Sequence, residues 1–167
     1  MKINKLNKSD LQQWKSPRIE ALLNAPQAFG GSFEEESLKS DSYFENLLMQ
    51  TAIFGAFSGN ELVGCVGLSK GSSLKTKHIG DVYTVYIKPG YRSQGIAKKL
   101  MEHLIEHAQK DLIYLRLKVT NQKKDDAALK LYEQLGFQSI GIEHEYLKVG
   151  EEFYDATLMT LSLKQES

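Results

Sequence analysis

The sequence predicts an α/β (α+β) fold in which helices cover the faces of one mixed β-sheet. Residues 78–88, 95–110 and 112–119 have the patterns of a strand, an amphipathic helix and a strand, which places the two strands parallel and joins them by a right-handed crossover. On either side of this unit, strand-like segments follow each other across short turns, as in antiparallel hairpins. Parallel pairing at the centre and antiparallel pairing at the flanks give a mixed sheet of about seven strands, flanked by about four helices.

The first third of the chain is predicted to hold one short strand and several helices. Residues 1–6 form the strand, and residues 8–25 form a helix that Pro17 either breaks or restarts. Residues 32–50 form one or two short helices. Each predicted helix start carries a polar capping residue, namely Ser9 or Asp10, Ser32, and Ser40 or Asp41.

The remaining elements are separated by glycine turns. Gly59–Asn60 divides two strands at residues 51–58 and 61–70, and Gly150 joins the last two strands of the chain. Residues 112–119 are apolar almost throughout, which indicates a strand buried on both faces. The helix that follows ends at Gly136, a favourable C-terminal cap.

The composition is that of one ordinary globular domain spanning residues 1–167. A chain of 167 residues with 41% hydrophobic content can bury about two-thirds of its unfolded surface. The 21 basic and 21 acidic residues cancel, so the charge favours neither nucleic acid nor a membrane as a partner. A single cysteine, Cys65, excludes an intrachain disulfide and a cysteine-based metal cluster. With no apolar leader at the N-terminus, a cytoplasmic location is expected.

The turn before the central helix has the features of an anion-binding site. The first amides of a helix are unpaired and carry a positive partial charge, and glycine lets a phosphate come close to them. Here Gly95 stands at that point, and Arg92 with Lys98 or Lys99 adds charge. A plain helix cap with a glycine for close packing is the alternative. The spacing fits neither a dinucleotide fingerprint nor a Walker A loop.

Two blocks of sequence resemble one family. The stretch "VYIKPGYRSQGIAKKLMEHL" resembles the acetyl-CoA signature Arg/Gln-x-x-Gly-x-Gly/Ala of the GNAT superfamily of N-acetyltransferases. The stretch "LRLKVTNQKKDDAALKLYEQLGF" is similar to that family's strand, asparagine and helix with "LYE-x-LGF". Both occur in the family's order and separation, and the order of elements matches over nearly the whole chain. The resemblance implies a GNAT-like fold whose two central parallel strands splay apart, with acetyl-CoA as co-substrate and no metal.

The resemblance also implies which residues bind acetyl-CoA. The strand before the signature would pair with the pantetheine arm as an added strand does. The matching positions are Val85, Tyr86 and Ile87 for pantetheine, and Arg92, Ser93, Gln94, Gly95, Ile96, Ala97 and Lys98 for the pyrophosphate. Asn121 resembles the family's asparagine near the cofactor, but about two extra residues before Leu131 make Asp125 the alternative. Tyr132 matches the tyrosine near the thioester sulfur.

The implied reaction is attack of a neutral amine on a thioester. It needs a group that removes a proton, donors for the oxyanion, and a donor for the leaving thiolate. Backbone N–H groups of the splayed strand and Tyr132 would supply the donors, although a tyrosine packed beside the core is the alternative for Tyr132. Candidates for the base are Glu34, Glu35, Glu36, Asp81, Tyr83 and His144. A run of glutamates is typical of a solvated helix start.

The leading hypothesis is an N-acetyltransferase acting on a primary amine of a small molecule, amino acid or peptide. The main alternative is a non-catalytic acyl-CoA-binding or regulatory module, against which Tyr132 and an intact cradle argue. A different nucleotide-binding protein would need a phosphate loop that is missing. Acceptor specificity is expected from residues 20–50 and 140–155, where no motif is found. By analogy, the resemblance also allows a homodimer through a late strand.

Overall fold

The computed structural model of the chain describes residues 1–121 and 127–164. The strands are β1 (Lys2–Lys5), β2 (Ala52–Ser58), β3 (Glu61–Lys70), β4 (Ile79–Ile87), β5 (Tyr114–Thr120), β6 (Gln138–Val149) and β7 (Glu152–Ser162). The helices are α1 (Leu11–Asn24), the single turn α2 (Phe33–Glu36), α3 (Asp41–Gln50), α4 (Ile96–Ala108) and α5 (Ala127–Gln134).

All seven strands belong to one sheet, in the order β1-β2-β3-β4-β5-β7-β6. Neighbouring strands are antiparallel except β4 and β5, which are parallel and are connected through α4. The predicted fold class, a mixed sheet with its parallel pair at the centre, is therefore confirmed.

Helices pack on both faces of this sheet, and each face has its own apolar cluster. The cluster on the α4 and α5 face includes Phe54, Leu100, Met101, Leu104 and Leu115. The cluster on the α1 and α3 face includes Leu11, Trp14, Phe44, Leu48 and Ile53. Trp14 and Phe44 are fully buried, so these two aromatic residues hold the early helices to the sheet.

One prediction about the first helix is wrong. Pro17 lies inside a continuous α1 and neither breaks it nor starts a second helix. The predicted cap Asp10 occupies the N-cap position of α1; its side chain accepts from the Asn7 amide at 2.9 Å, and the Asn7 side chain accepts from the Ser9 amide at 2.8 Å. A short 3-10 turn therefore precedes α1 and carries the capping box. The cap predicted at Ser32 is confirmed, because its hydroxyl accepts from the Glu35 amide at 3.2 Å.

Gly67 on β3 lets an aromatic ring lie flat against the sheet. A Cβ atom at this position would be 2.6 Å from the Tyr83 ring. We expect Gly67→Ala to lower the free energy of unfolding by about 1–3 kcal/mol, because the ring must move out of a packed position. Urea denaturation measures this. Gly90→Ala is the matched control, since nothing lies within 4 Å of its added methyl group; equal midpoints for the two variants would contradict the packing role.

Candidate active site

The parallel strands β4 and β5 separate after three residue pairs. Ile79, Gly80 and Asp81 pair with Tyr114, Leu115 and Arg116, and no later pairs follow along these two strands. Beyond that point β4 continues to Ile87 and pairs only with β3 on its other edge. The edge of β4 that faces β5 is thus open from Val82 onwards. This is the splay that the resemblance implied.

A cavity of about 240 Å³ occupies the wedge between the two strands. Its walls come from the second half of β4, the second half of β5 and the first turns of α5. The lining residues that bear on the chemistry are Thr84, Val85, Val119, Thr120 and Tyr132. Of the three predicted pantetheine positions, only Val85 lines this cavity. Tyr86 packs with the α1 face and Ile87 with the α4 face, so these two residues offer only backbone groups at the open edge.

β4 carries a β-bulge beside the wedge. Tyr83 pairs with Gly67 and Tyr86 pairs with Cys65, so Thr84 and Val85 together oppose the single residue Val66. Thr84 has a φ of 51°. A β-branched residue in the left-handed region is strained by about 1–3 kcal/mol and persists only where its surroundings hold it. Because a bulge leaves its extra residue unpaired, the ladder between β3 and β4 is interrupted at Thr84 and Val85.

The predicted cradle lies at the N-terminus of α4, past the open end of β4. Gly95 has a φ of 76°, and an added Cβ there would meet nothing within 4 Å. Ser93 is also left-handed, with a φ of 60°. Among the described residues no side chain caps the helix, so its first amides are open to an external anion. Ile96 buries its side chain in the core and presents only its amide.

Two polar side chains of the cradle stabilise the turn. Arg92 Nε donates to the Ile87 carbonyl at 3.0 Å, and Gln94 Nε2 donates to the Gly90 carbonyl at 3.3 Å. These bonds join the end of β4 to the start of α4. The sequence pattern assigned Arg92 only a charge, whereas its guanidinium also fixes the backbone that forms the cradle.

Tyr132 lies across the wedge from the bulge. Its side chain is 7% exposed and packs edge-on against Phe137. Burial raises the pKa of Tyr132 to about 12. An ordinary thiol has a pKa of about 8.5, so full proton transfer from this phenol to a thiolate would be uphill by ~5 kcal/mol. The neutral hydroxyl is therefore suited to donating a hydrogen bond to a thiolate.

A second, larger cleft of about 700 Å³ opens on the α1 and α2 face of the sheet. It is bordered by residues 28–31, α2, and the β6 residues Ile140, Glu143 and Tyr146. These segments fall within the regions where acceptor specificity was expected. The wedge and the cleft share lining residues at the splay, among them Tyr83, Thr84, Leu117 and Thr120. A group held in the wedge is thus within reach of a molecule in the cleft.

The charged side chains that line this cleft are paired with one another. Arg18 holds Glu36 through two hydrogen bonds of 2.7 Å. Arg116 pairs with Asp81, and Lys118 pairs with Glu143 at 2.8 Å. Burial lowers the pKa of Arg18, but the hydrogen bonds and charge of Glu36 outweigh burial and raise its pKa above the ordinary value.

These pairs bear on the candidates for a base. Glu36 is buried and engaged by Arg18, so it is not the solvated helix start that a glutamate run typically forms. Glu34 and Glu35 are exposed and lie outside the cleft lining. Burial raises the pKa of Tyr83. His144 pairs with Asp155 at 3.1 Å and lines neither the wedge nor the cleft.

Asn121 lies at the seam between β5 and β7. Its amide donates to the Asp155 carbonyl at 2.8 Å, and its Oδ1 accepts from the Thr157 hydroxyl at 2.7 Å. Its side chain lines neither the wedge nor the cleft. The alternative residue, Asp125, lies outside the described residues. The predicted role of Asn121 near the cofactor stays a prediction.

Sequence reasoning missed Arg18 and Thr84. Arg18 Nη1 donates to Thr84 Oγ1 at 3.0 Å, across 66 positions of the chain. Neither residue belongs to a local motif, because their contact arises only when α1 packs over the bulge. The tertiary structure was needed to find them.

Two further findings concern the described residues alone. Within 1–121 and 127–164, no group of three or more histidine, cysteine, aspartate or glutamate side chains is placed to hold a metal ion. In the same part of the chain, no helix has the length and apolar character needed to cross a membrane.

Comparisons with known proteins agree with this geometry. The sequence matches the acetyltransferase (GNAT) family over residues 17–137. It is 35% identical over 96 residues to the N-alpha-acetyltransferase RimI of Mycobacterium tuberculosis, a match that covers 57% of this chain and 57% of that relative. The chain thus spans little more than half the length of this curated relative.

Solved structures share the fold over nearly the full length of the chain. A GNAT-family acetyltransferase from Streptococcus pneumoniae superposes with a TM-score of 0.84 at 24% identity, covering 96% of this chain and 98% of that one. The protein yncA from Salmonella typhimurium, solved with its cofactor acetyl-CoA, superposes with a TM-score of 0.84 at 17% identity, covering 100% of this chain and 96% of that one. With the family match, the splay and the helix N-terminus beside it, the chain belongs to the acetyltransferase (GNAT) family, and acetyl-CoA is the co-substrate that this membership implies.

Proposed function

We propose that this protein is an acetyl-CoA-dependent N-acetyltransferase whose preferred acceptor is an α-amino group. The observation that carries the proposal is the junction of two cavities at the Thr84 bulge, with Tyr132 opposite. A thioester that enters from the α4 side would meet there an amine that enters through the cleft on the other face of the sheet.

Each part of the cofactor has a matching feature in this arrangement. The pyrophosphate would accept hydrogen bonds from the amides of residues 93–98, where a left-handed Gly95 leaves open space. The pantetheine arm would pair with the open edge of β4 along residues 85–87. That path directs the acetyl group to the bulge, where strand pairing no longer uses the backbone amides.

The chemistry then needs little beyond positioning. The amine nitrogen attacks the thioester carbon, the C–S bond breaks, and the amine proton passes to solvent. Amides of the bulge would stabilise the oxyanion, and the Tyr132 hydroxyl would donate to the departing thiolate. The base is the weakest part of the site, because each carboxylate among the described residues that line the cleft, namely Glu36, Asp81 and Glu143, is paired with a cation.

This weakness favours an acceptor that is easily deprotonated. An α-amino group has a pKa of about 7.8 and a lysine side chain about 10.4, so at pH 7 roughly one in seven of the former and one in 2,500 of the latter are neutral. A site without a strong base would therefore use α-amines about 350-fold better from protonation alone. The similarity to a relative named as an N-alpha-acetyltransferase supports the same choice.

The test is coenzyme A release from acetyl-CoA in the presence of two matched peptide pools. One pool has free α-amines and no lysine, and the other has blocked α-amines and one lysine. We expect faster release with the first pool at pH 7. Because the acceptor's own amine must lose its proton, kcat/KM should rise with pH and level off near the α-amine pKa of about 8. Mass spectrometry of the peptides identifies the acetylated nitrogen.

Other outcomes have definite meanings. Release of coenzyme A only with the lysine pool would contradict the α-amine preference, whereas the N-acetyltransferase activity itself would stand. An increase in melting temperature with acetyl-CoA, together with no release from any acceptor, would favour the non-catalytic acyl-CoA-binding module.

Two expectations from the sequence are also part of this proposal. A cytoplasmic location is expected from the single cysteine, which is buried in β3. A homodimer is expected by analogy, through the long and exposed edge strand β6.

A further inference from the structure

We propose that the buried pair Arg18–Glu36 is a positioning device that holds the Thr84 bulge in its reactive geometry. The inference rests on the proposed transferase function and adds to it two residues that touch neither the thioester nor the cradle.

The guanidinium of Arg18 binds to two elements at once. Nε and Nη2 donate to the two carboxylate oxygens of Glu36, each at 2.7 Å, and Nη1 donates to Thr84 Oγ1 at 3.0 Å. The side chains of Arg18 and Glu36 are only 11% and 9% exposed. Because the guanidinium is planar and two of its nitrogens are bound to Glu36, the third nitrogen, Nη1, is held in a fixed direction toward Thr84.

The surrounding residues are shaped around this pair. A Cβ at Gly31 would lie 2.6 Å from Glu36 Oε1, so a larger residue there would have to displace the carboxylate that Arg18 holds. The Arg18 guanidinium also lies over the Trp14 ring at 5.7 Å. The carbonyl of Thr84 accepts from Cys65 Sγ at 3.9 Å, which ties the bulge on its backbone side as well.

Stability alone is a poor explanation for this arrangement. A buried ion pair gains little over well-packed apolar residues of similar size, because both charges must leave water. Thr84, however, is β-branched and left-handed, a conformation that needs support from its surroundings. The third hydrogen bond of Arg18 gives that support at the residue whose backbone sets the direction of the bulge amides.

The decisive variant is Thr84→Val, which keeps the size and β-branching of the side chain and removes only the hydroxyl. We expect kcat to fall roughly 10-fold to 100-fold, with the KM values for acetyl-CoA and acceptor within about twofold of the native values. The fall in kcat should be the same for two acceptor peptides of different sequence. Thr84→Ser, which retains the hydroxyl, should keep most of the native kcat.

A double-mutant cycle tests whether Arg18 acts through Thr84. Arg18→Lys keeps the charge opposite Glu36 but loses the planar fork. If the two residues form one device, the combined variant should lose little more kcat than Thr84→Val alone. If the kcat losses of the two single variants are fully additive in the combined variant, Arg18 does not act through Thr84, and the proposed positioning role is wrong.

A readout without an acceptor separates this inference from the transferase proposal. The NMR shift of an isotope-labelled thioester carbonyl in bound acetyl-CoA reports its hydrogen bonding to the bulge. We expect this shift in Thr84→Val to move toward that of free acetyl-CoA while affinity is retained. A shift and a kcat equal to the native values would overturn the positioning role alone. Native protein that fails to bind acetyl-CoA would overturn the proposed function, and this inference with it.

Discussion

Gly95→Asp is expected to abolish measurable acetyl-CoA binding while leaving the fold intact. Gly95 is left-handed and faces open space, so an added side chain would project where a phosphate must approach the amides of α4. A carboxylate there also repels the pyrophosphate. A repulsion of roughly 3 kcal/mol weakens binding about 100-fold, before the loss of direct backbone contact is added. Isothermal titration calorimetry measures the affinity.

The control must carry the same backbone strain and charge at a distant turn. Gly150→Asp meets this condition, because Gly150 has a φ of 61° with nothing within 4 Å of an added Cβ. Aspartate in a left-handed position costs about 1–2 kcal/mol, so both variants should melt a few degrees below the native protein. If Gly95→Asp binds acetyl-CoA as tightly as Gly150→Asp, the cradle assignment is wrong.

Tyr132→Phe is expected to lower kcat by about 100-fold and to change the KM for acetyl-CoA by less than about threefold. The hydroxyl would act only when the thiolate departs, so its loss affects the transition state more than cofactor binding. Because burial raises the pKa of Tyr132 to about 12, ionisation of this group should leave no inflection in the pH profile of kcat below about pH 10. Steady-state kinetics across pH provide both measurements.

Tyr154→Phe serves as the matched control for the loss of one phenol. The Tyr154 hydroxyl donates to the exposed Glu152 carboxylate at 2.8 Å and lies away from the wedge. The Tyr154→Phe variant should therefore have the kcat of the native protein. Equal kcat values for the two variants would place Tyr132 among packing residues, which was the alternative from the sequence.

The sequence predicted the order of the strands and helices along the chain and the glycine at the start of α4, because both depend on local signals. Period-two and period-3.6 patterns identified the strands and α4, and Gly95 with the residues around it marked the helix start. The capping box between Asn7 and Asp10 was not predicted, because it belongs to a short 3-10 turn before α1 that the sequence pattern did not separate from the helix.

The acceptor side could not be predicted for a different reason. The cleft is assembled from α2, the loop before it, and strands β4 to β7, which meet only in three dimensions. Glu36 looked like a solvated residue in a glutamate run, yet it is buried against Arg18 from another helix. The strain at Thr84 likewise comes from a bulge that no local pattern indicates.

Amide hydrogen exchange with and without acetyl-CoA locates the cofactor on the native protein without any substitution. If acetyl-CoA lies along the open edge of β4 and on the N-terminus of α4, its addition should slow exchange at residues 84–87 and 93–98. The hairpin at residues 57–62 should exchange at an unchanged rate. We expect protection at both 84–87 and 93–98. Binding of acetyl-CoA without protection at either segment would contradict the assignment of the site.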